Sequence, residues 1–377
     1  MFVRNCWYVI AWDHEVPKDG LFSRTVLGEA ILLYRTNDGA IVGLRDRCCH
    51  RLAPLSKGRK EGDCVRCGYH GLLFDPTGRC IEIPGSETVP GKVRVQRYPV
   101  VTKNKWVFVW MGDESKADPA LLPDNFSCDH PDWDYVPGYM HYATSQALIC
   151  DNLLDFSHLS YVHEKTLGGT TAIAQARAEI EAVPRGIRVT RRIHDVPPPP
   201  YYKTIRDISS NLDRWFIYDF LLPGTLLMHS GGRPVEDAEG DMRRAVRLHS
   251  CQTVTPETDT TTHYFFQQSR RVEDGDHGVA EALYRSLLVA FEEDRAMITA
   301  QAQAIAADPG HPMMLLAMDA AVVRFRRLVA DMAAAERSPS TLLDARSGVA
   351  GPAPRSPVNQ VGSQQLGRDG TVERRAR

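Results

Sequence analysis

Short runs of alternating hydrophobic and polar positions fill the first third of the chain, a pattern typical of β-strands joined by turns. AILLYR and AIVGLR, residues 30–35 and 40–45, flank the Asp-Gly turn signal of TNDG and therefore predict a hairpin. WVFVWMGD, residues 106–113, is rich in β-branched and aromatic residues and predicts a further strand. ADPALLPDN, residues 117–125, concentrates proline and aspartate and predicts a domain boundary.

The pattern beyond this boundary is partly helical and partly that of strands. Residues 279–307 predict the longest helix, because neither glycine nor proline interrupts them. RWFIYDFLL and THYFF, residues 214–222 and 262–266, predict strands of a second domain. The four prolines of residues 197–200 predict a loop.

Length and charge add limits to this picture. The 377 residues suffice for two domains, which we place at 1–120 and 121–336, and the composition of residues 337–377 predicts a disordered tail. A net charge of −2 gives no electrostatic reason to expect nucleic acid or an anionic membrane as a partner. The apolar residues 7–12 are too short for a membrane span and lack the basic flank of a signal peptide. These features predict a cytoplasmic protein.

The nine cysteines fall into an isolated set and a clustered set. Clustered cysteines in a reducing compartment more often bind metal than form disulfides. The cluster lies within CCHRLAPLSKGRKEGDCVRCGYHG, residues 48–71. We expect the isolated cysteines to be small, buried apolar residues. These are Cys6, Cys80, Cys128, Cys150 and Cys251.

Two cysteine–histidine pairs in this segment form a candidate four-ligand site. The pairs are Cys48 with His50 and Cys67 with His70. Zinc accepts such a set tetrahedrally, and so does a Rieske [2Fe–2S] cluster, in which two cysteines bind one iron and two histidines the other. Common zinc modules pair cysteine with cysteine, whereas each loop here carries one ligand of each kind, which favours the cluster. We expect Cys49 and Cys64 to be neighbours of the site rather than ligands.

A second candidate site begins in DNLLDFSHLSYVHEKT, residues 151–166. On a regular helix His158 and His163 would point about 140° apart, so a helix would have to end or bulge between them for both to reach one ion. Asp294 falls on the apolar stripe of the predicted long helix, whose other members are Leu283, Leu287, Phe291 and Ile298. A buried carboxylate needs a partner, which a metal ion or an ion pair with Arg285 or Arg295 would provide.

Two histidines and one carboxylate form the facial triad of non-haem Fe(II) oxygenases, which leaves coordination positions open for dioxygen. The set proposed from the residues is His158, His163 and Asp294. Asp155 lies one turn before His158, where it can accept a hydrogen bond from a ring nitrogen and orient the ligand. The alternative, with Asp155 itself as third ligand, fits less well, because a residue three before His158 is better placed beside the ligand.

Together these motifs resemble the Rieske non-haem iron oxygenases. C-x-H-R-x-A-P-L-S-x-G from Cys48 and C-x-Y-H-G-L-x-F-D from Cys67 match without a gap. NCWYVIAWD, DNLLDFSHLSYVH and FEEDR resemble the branch of vanillate O-demethylase, dicamba O-demethylase and toluene-4-sulfonate methyl-monooxygenase. The resemblance covers roughly residues 2–336. It departs from the usual pattern at Cys49 and Gly68, where the family commonly has proline.

The resemblance implies an α+β protein, with an N-terminal all-β Rieske [2Fe–2S] domain followed by a helix-grip catalytic domain, an antiparallel sheet around a long helix. It implies a homotrimer in which Asp155 connects a neighbouring subunit's cluster histidine to His158, while Asn152 lines the iron site. The implied ligands are Cys48, His50, Cys67 and His70 for the cluster and His158, His163 and Asp294 for the mononuclear iron. Gln252 and residues 215–222 are candidate substrate contacts.

The implied reaction is oxidation by O2 of a methyl, methoxy or N-alkyl group on a small aromatic compound. The chain has no Gly-rich dinucleotide fingerprint, so NAD(P)H would serve only through a separate reductase of the flavin or ferredoxin type. A ring cis-dihydroxylating dioxygenase is the alternative with the same cofactors. A zinc-stabilised binding protein without redox activity is the alternative of a different class.

Overall fold

The computed structural model describes residues 2–272 and 278–337. The predicted tail, residues 337–377, lies outside them apart from its first residue, which ends a helix. Short strands occupy the N-terminal region, as predicted: β1 (Cys6–Trp12), β2 (Phe22–Val26), β3 (Glu29–Arg35), β4 (Ile41–Arg45), β5 (Arg59–Glu61), β6 (Cys64–Arg66), β7 (Leu73–Phe74), β8 (Cys80–Glu82), β9 (Arg97–Tyr98), β10 (Val100–Lys103) and β11 (Trp106–Met111).

These strands form three antiparallel sheets with the orders β1-β11-β10, β2-β3-β4-β9 and β5-β6-β7-β8. The predicted hairpin is confirmed, with Arg35 paired to Ile41 across the turn. Strand β11 ends two residues earlier than predicted. Its end is set by Gly112, whose φ of 153° and approach to the Asn5 backbone leave no room for a side chain.

The second region contains longer strands and the helices. The strands are β12 (Trp133–Asp134), β13 (Gly138–Tyr142), β14 (Glu179–Val183), β15 (Gly186–Val196), β16 (Leu212–Leu221), β17 (Thr225–Pro234), β18 (Val246–Pro256) and β19 (Thr262–Arg271). The helices are α1 (Gln146–Leu154), α2 (Thr171–Gln175), α3 (Val279–Ala307) and α4 (Ala320–Arg337). The strands form one eight-stranded antiparallel sheet, ordered β12-β19-β18-β17-β16-β15-β14, with β13 also on β19.

Helix α3 has the predicted bounds and packs its apolar stripe on this sheet. The Phe291 ring lies 4.8 Å from that of Phe266 and 5.5 Å from that of Tyr264, both on β19. The predicted strand 262–266 is confirmed within β19, and 214–222 is confirmed within β16 except for Leu222, which begins the turn to β17. This sheet around a long helix is the implied helix-grip arrangement.

The sheets of the two regions contact each other through buried hydrogen bonds. Trp12 Nε1 donates to the Gly138 carbonyl at 2.9 Å, and Thr255 Oγ1 donates to the Val9 carbonyl at 2.7 Å. Residues 1–337 accordingly form one compact unit, and the boundary near residue 120 stays a prediction. Among the helices of residues 2–272 and 278–337, none combines the length and apolarity that crossing a bilayer requires. The five isolated cysteines are buried, as predicted.

Candidate metal centres

The two loops of the first site have the same backbone geometry. The Leu52 amide donates to the Cys48 carbonyl at 3.0 Å, and the Gly71 amide donates to the Cys67 carbonyl at 3.1 Å. Both donors have a left-handed backbone, with φ of 61° at Leu52 and 75° at Gly71. Each cysteine therefore begins an equivalent tight turn, and the turn carries the histidine that follows it.

The ligand side chains divide by depth. Cys48 and Cys67 are 1% and 2% exposed, whereas His50 is exposed and His70 is half-buried. The two imidazole rings lie 4.6 Å apart. Burial raises the pKa of Cys48 to about 12, so this thiol keeps its proton at neutral pH unless a metal ion displaces it. The donor set thus fits a group with thiolates on the inner side and imidazoles at the surface.

One zinc ion would require all four ligand atoms to converge on a single point. Within the described ranges, only His158, His163 and Asp294 bring at least three such atoms within 4.8 Å of one another. The four ligands of the first site do not, as expected where one iron takes the thiolates and a second iron takes the imidazoles. This geometry argues for a two-iron cluster.

Gly68 explains one departure from the usual Rieske pattern. A Cβ atom at this position would lie 2.6 Å from the Lys57 carbonyl oxygen, so the second ligand loop passes too close to its neighbour for a side chain. Cys49 is exposed and Cys64 is half-buried. That both are neighbours of the site rather than ligands stays a prediction.

The predicted break between the two histidines of the second site is present. Helix α1 ends at Leu154, Asp155 is extended with φ of −121°, and a short 3₁₀ helix follows over Phe156–Ser160. His163 lies beyond it. The break brings the rings of His158 and His163 within 5.3 Å of each other.

Helix α3 supplies the carboxylate. Asp294 Oδ1 lies 3.1 Å from His163 Nε2 and 3.4 Å from His158 Nε2. Asn152 Nδ2 donates to the same carboxylate oxygen at 3.0 Å and lies 3.5 Å from His158 Nε2. These three ligand atoms would occupy one face of the coordination sphere of a metal ion and leave the opposite face open. Neither arginine considered as a partner pairs with Asp294, because Arg285 pairs with Glu281 and Arg295 with Glu292.

Hydrogen bonds to the other ring nitrogens fix the orientation of both histidines. The Asp155 carbonyl oxygen lies 2.6 Å from His158 Nδ1, and Glu293 Oε2 lies 2.8 Å from His163 Nδ1. Each contact directs Nε2 toward the triad. Burial lowers the pKa of His158. Burial also acts to lower the pKa of His163, but Asp294 and Glu293 outweigh it and raise that pKa overall.

Asp155 accepts from a ring nitrogen of His158, as expected, and it does so through its main-chain carbonyl rather than its carboxylate. The carboxylate accepts from the Ser157 amide at 2.9 Å and the Ser157 hydroxyl at 2.6 Å, and Arg191 lies 3.7 Å away. The extended backbone at Asp155 turns its carbonyl toward the ring and its carboxylate elsewhere. The carboxylate belongs to no convergent ligand group of the described residues, so the geometry does not favour Asp155 as third ligand.

The triad opens onto a cavity with mostly apolar walls. Its apolar lining includes Leu153, Phe156, Phe216, Met228, Leu287 and Phe291. Gln252 lines it too, with its Oε1 accepting from the Tyr264 hydroxyl at 2.6 Å. Of residues 215–222, Phe216 lines the cavity, whereas the alternation along β16 turns Trp215 toward the opposite face.

Two residues of the site were missed from the sequence. Glu293, the partner of His163, was hidden beside Asp294 in an acidic run. Arg214 lines the cavity one residue before the predicted stretch. The alternation of β16 could have identified it, because it puts Arg214 on the same face as Phe216, Tyr218 and Phe220. A charged residue on an apolar face was the signal that identified Asp294.

The chain is similar to known proteins over most of its length. Residues 6–99 match the Rieske [2Fe-2S] domain, and residues 142–335 match the vanillate O-demethylase oxygenase C-terminal domain. The chain is 44% identical over 342 residues to the toluene-4-sulfonate monooxygenase system iron-sulfur subunit TsaM1 of Comamonas testosteroni, covering 89% of this chain and 98% of that one.

Two crystal structures of dicamba monooxygenase are similar throughout. The one bound to 3,6-dichlorosalicylic acid has a TM-score of 0.82 and 29% identity, and the match covers 90% of this chain and 99% of that one. The one with non-haem iron and dicamba has a TM-score of 0.73 and 28% identity, covering 89% and 98%. These matches exclude the zinc-stabilised binding protein.

Proposed function

The chain belongs to the Rieske non-haem iron oxygenases, and we propose that it oxidises a methyl, methoxy or N-alkyl group of a small aromatic compound. It is the oxygenase component of a multicomponent system, which consumes O2 and receives electrons from a separate reductase. Support for the substrate class comes from the names of its relatives, which give toluene-4-sulfonate and dicamba as the compounds of those proteins.

The proposed ligands are the side chains that two loops bring together at the first site and that the broken helix and α3 bring together at the second. Cys48, His50, Cys67 and His70 would hold the [2Fe–2S] cluster, and His158, His163 and Asp294 would hold the mononuclear Fe(II). When bound, the cluster supplies single electrons and the ferrous ion activates dioxygen. The protein keeps both Nδ1 atoms of the iron-site histidines occupied, through the Asp155 carbonyl and the Glu293 carboxylate, so that each Nε2 faces the ion.

The observation that carries this proposal is the opening of the triad onto an apolar cavity. Phe156 and Phe216 pack edge to face with ring centres 5.6 Å apart and form a wall that suits an aromatic ring. Such walls exclude water from the reacting carbon. Gln252 Oε1 accepts from Tyr264 and its Nε2 donates to Ser250 Oγ at 3.3 Å, so one N–H of the amide remains for a polar substituent. Asn152 lines the iron side of the cavity.

A homotrimer is part of the proposal, with Asp155 linking a neighbouring subunit's cluster histidine to His158. Two exposed apolar surfaces support it. Beside the cluster histidines, Leu52 and Tyr69 are 56% and 61% exposed. Near Asp155, Met318 contacts the Ser157 hydroxyl through its sulfur, and the neighbouring exposed residues are Met313, Met314, Leu315 and Leu316. A head-to-tail contact of the first surface with the second closes a three-membered ring when successive subunits are rotated by one third of a turn. We also propose that the protein is cytoplasmic.

The proposal can be tested on protein purified without oxygen. We expect about three iron atoms per chain, two for the cluster and one for the mononuclear site, together with the low-average-g EPR signal of a Rieske centre. With a compatible reductase, a panel of methoxy-, methyl- and N-alkyl-arenes should release formaldehyde or a hydroxymethyl product carrying one labelled atom from ¹⁸O2. Sedimentation should give three times the chain mass.

Other outcomes would replace the proposal. Two labelled oxygen atoms in one ring product would identify a cis-dihydroxylating dioxygenase. About two iron atoms per chain under every reconstitution would leave only an electron carrier. A monomer that turns over at full rate would remove the link through Asp155.

A further inference from the structure

A positive charge is buried in the wall of the cavity that the triad shares. Arg214 lies on β16 and is 2% exposed. It lines the same cavity as His158, His163 and Asp294. Because β16 alternates between buried and half-buried positions, the Arg214 side chain belongs to the apolar face that packs toward the helices.

The contacts of Arg214 leave its charge uncompensated. Nη1 donates to the Gly168 carbonyl at 3.3 Å, and the guanidinium lies 5.5 Å and 5.3 Å from the ring centres of Tyr202 and Phe216. Its Nε has no hydrogen-bond partner among the described residues. The hydroxyls of Tyr201 and Tyr202 lie beside the guanidinium, and both are neutral groups that do not balance its charge. No carboxylate of residues 2–272 or 278–337 forms an ion pair with it.

A second buried arginine shows how this protein otherwise accommodates such a charge. Arg191, on the neighbouring strand β15, donates to the Ile173 and Ala176 carbonyls at 2.7 and 2.8 Å and lies 3.7 Å from the Asp155 carboxylate. Burying an unpaired charge is costly, and the pair at Arg191 offsets that cost within the chain. Arg214 has no such carboxylate among residues 2–272 and 278–337.

We propose that Arg214 pairs with an acidic group, a carboxylate or sulfonate, on the aromatic ring of the substrate. The inference rests on the proposed function and specifies its substrate class. A guanidinium presents a planar fork that fits either oxyanion. Arg214 contacts Phe216, Phe216 packs on Phe156, and the ring centre of Phe156 lies 6.4 Å from that of His158. A ring along this wall would have its acid at Arg214 and its oxidisable carbon toward the triad.

Matched pairs of probes test this on the anaerobic holoenzyme by calorimetry. The acids are 4-methylbenzoate and toluene-4-sulfonate, and the neutral counterparts are 4-methylbenzamide and toluene-4-sulfonamide. The wild type should bind at least one acid more tightly than its amide, by about 30-fold or more. In Arg214→Gln this ratio should fall to within about threefold. Arg188→Gln, an exposed arginine paired with Asp219 on the same sheet, should keep the wild-type ratio.

The acid with the larger ratio identifies the oxyanion. A wild type that does not discriminate acid from amide, or an Arg214→Gln variant that keeps the preference, would overturn the proposal. Failure of the proposed function would appear separately, as missing iron or no oxidation of any methyl-arene, while the binding ratio still reports on Arg214.

Thermal unfolding separates substrate recognition from a structural role. If the charge awaits a ligand, Arg214→Gln should lower the Tm of the ligand-free protein by no more than about 2 °C. The acid probe should then raise the Tm of the wild type and not of the variant. A large loss of Tm in Arg214→Gln, with acid and amide binding weakened equally, would show that Arg214 only holds the Gly168 loop.

Discussion

The two candidate metal centres are built in opposite ways. The proposed cluster ligands come from two equivalent turns within residues 48–71, each closed by a hydrogen bond to its own cysteine carbonyl. The proposed iron ligands come from a broken helix and from α3, and His163 and Asp294 are separated by 131 positions in the chain. The first site depends mainly on local geometry. The second exists only once α3 has packed on the sheet.

The two sites also differ in how far their histidines are exposed to solvent. The cluster histidines lie at the surface, where an electron donor or a neighbouring subunit can approach, whereas His163 is 1% exposed and faces an apolar cavity. The proposed cluster site is therefore open to a partner protein, whereas the proposed iron site is enclosed. A substitution at one site should therefore leave the metal of the other site bound. The largest effect on turnover is expected at the iron site.

Replacing Asp294 by Asn should reduce turnover by roughly 10³-fold or more, because a neutral amide replaces the one anionic ligand of the triad. Oxygen uptake with product analysis measures this loss, and EPR should show an unchanged cluster signal. Glu292→Gln on the same helix, which breaks only an exposed pair with Arg295, should keep near wild-type turnover. Turnover near the wild-type rate in Asp294→Asn would contradict the triad.

Replacing Asp155 by Asn tests the connection between the centres. The carbonyl contact to His158 is main-chain and should survive, so both metals should stay bound. Loss of the carboxylate charge should slow reoxidation of a pre-reduced cluster by roughly 100-fold in single-turnover stopped flow. Asp308→Asn, at an exposed aspartate, is the control. An unchanged rate would refute the link, and loss of the mononuclear iron would indicate a ligand role instead.

Replacing Gly68 by Ala should affect the cluster site alone. The new Cβ would lie 2.6 Å from the Lys57 carbonyl, and because that neighbour is backbone, the loop itself must shift. We expect a loss of about 1–3 kcal/mol in stability, seen as cluster bleaching at lower denaturant concentration. Iron at the second site should remain. Gly91→Ala, where nothing lies within 4 Å of the added atom, should have little effect.

The same contrast explains what the sequence could predict. The cluster ligands follow from contiguous motifs, and α3 follows from an uninterrupted amphipathic run. The break between His158 and His163 followed from helix geometry, since no regular helix presents both. The direction of the Asp155 carboxylate could not be predicted, because it depends on one extended residue after α1. Arg214 was missed because it begins the predicted strand, and an arginine is far more often exposed than buried.

An effect that emerges only on acidification is expected at the junction between the two regions, at His263 on β19. Its Nε2 lies 2.9 Å from the Thr25 carbonyl and its Nδ1 lies 2.9 Å from the Tyr139 hydroxyl, so a neutral ring can donate to one and accept from the other. Burial, with the charge of nearby Arg24, lowers the pKa of His263 from 6.5 to about 4. His263 therefore binds a proton only at a lower pH in the folded protein than in the unfolded chain.

The sign of the pH dependence follows from this lowered pKa. Above pH 6.5 neither state binds the proton and the contribution of His263 to stability is complete; between pH 6.5 and about 4 the unfolded state binds more protons, so stability falls as pH falls. The loss amounts to at most about 3 kcal/mol. His263→Gln, which cannot titrate, should flatten the decline of Tm over this interval, whereas His311→Gln at an exposed position should retain it. An equal decline in both variants would place the acid sensitivity elsewhere than at this junction.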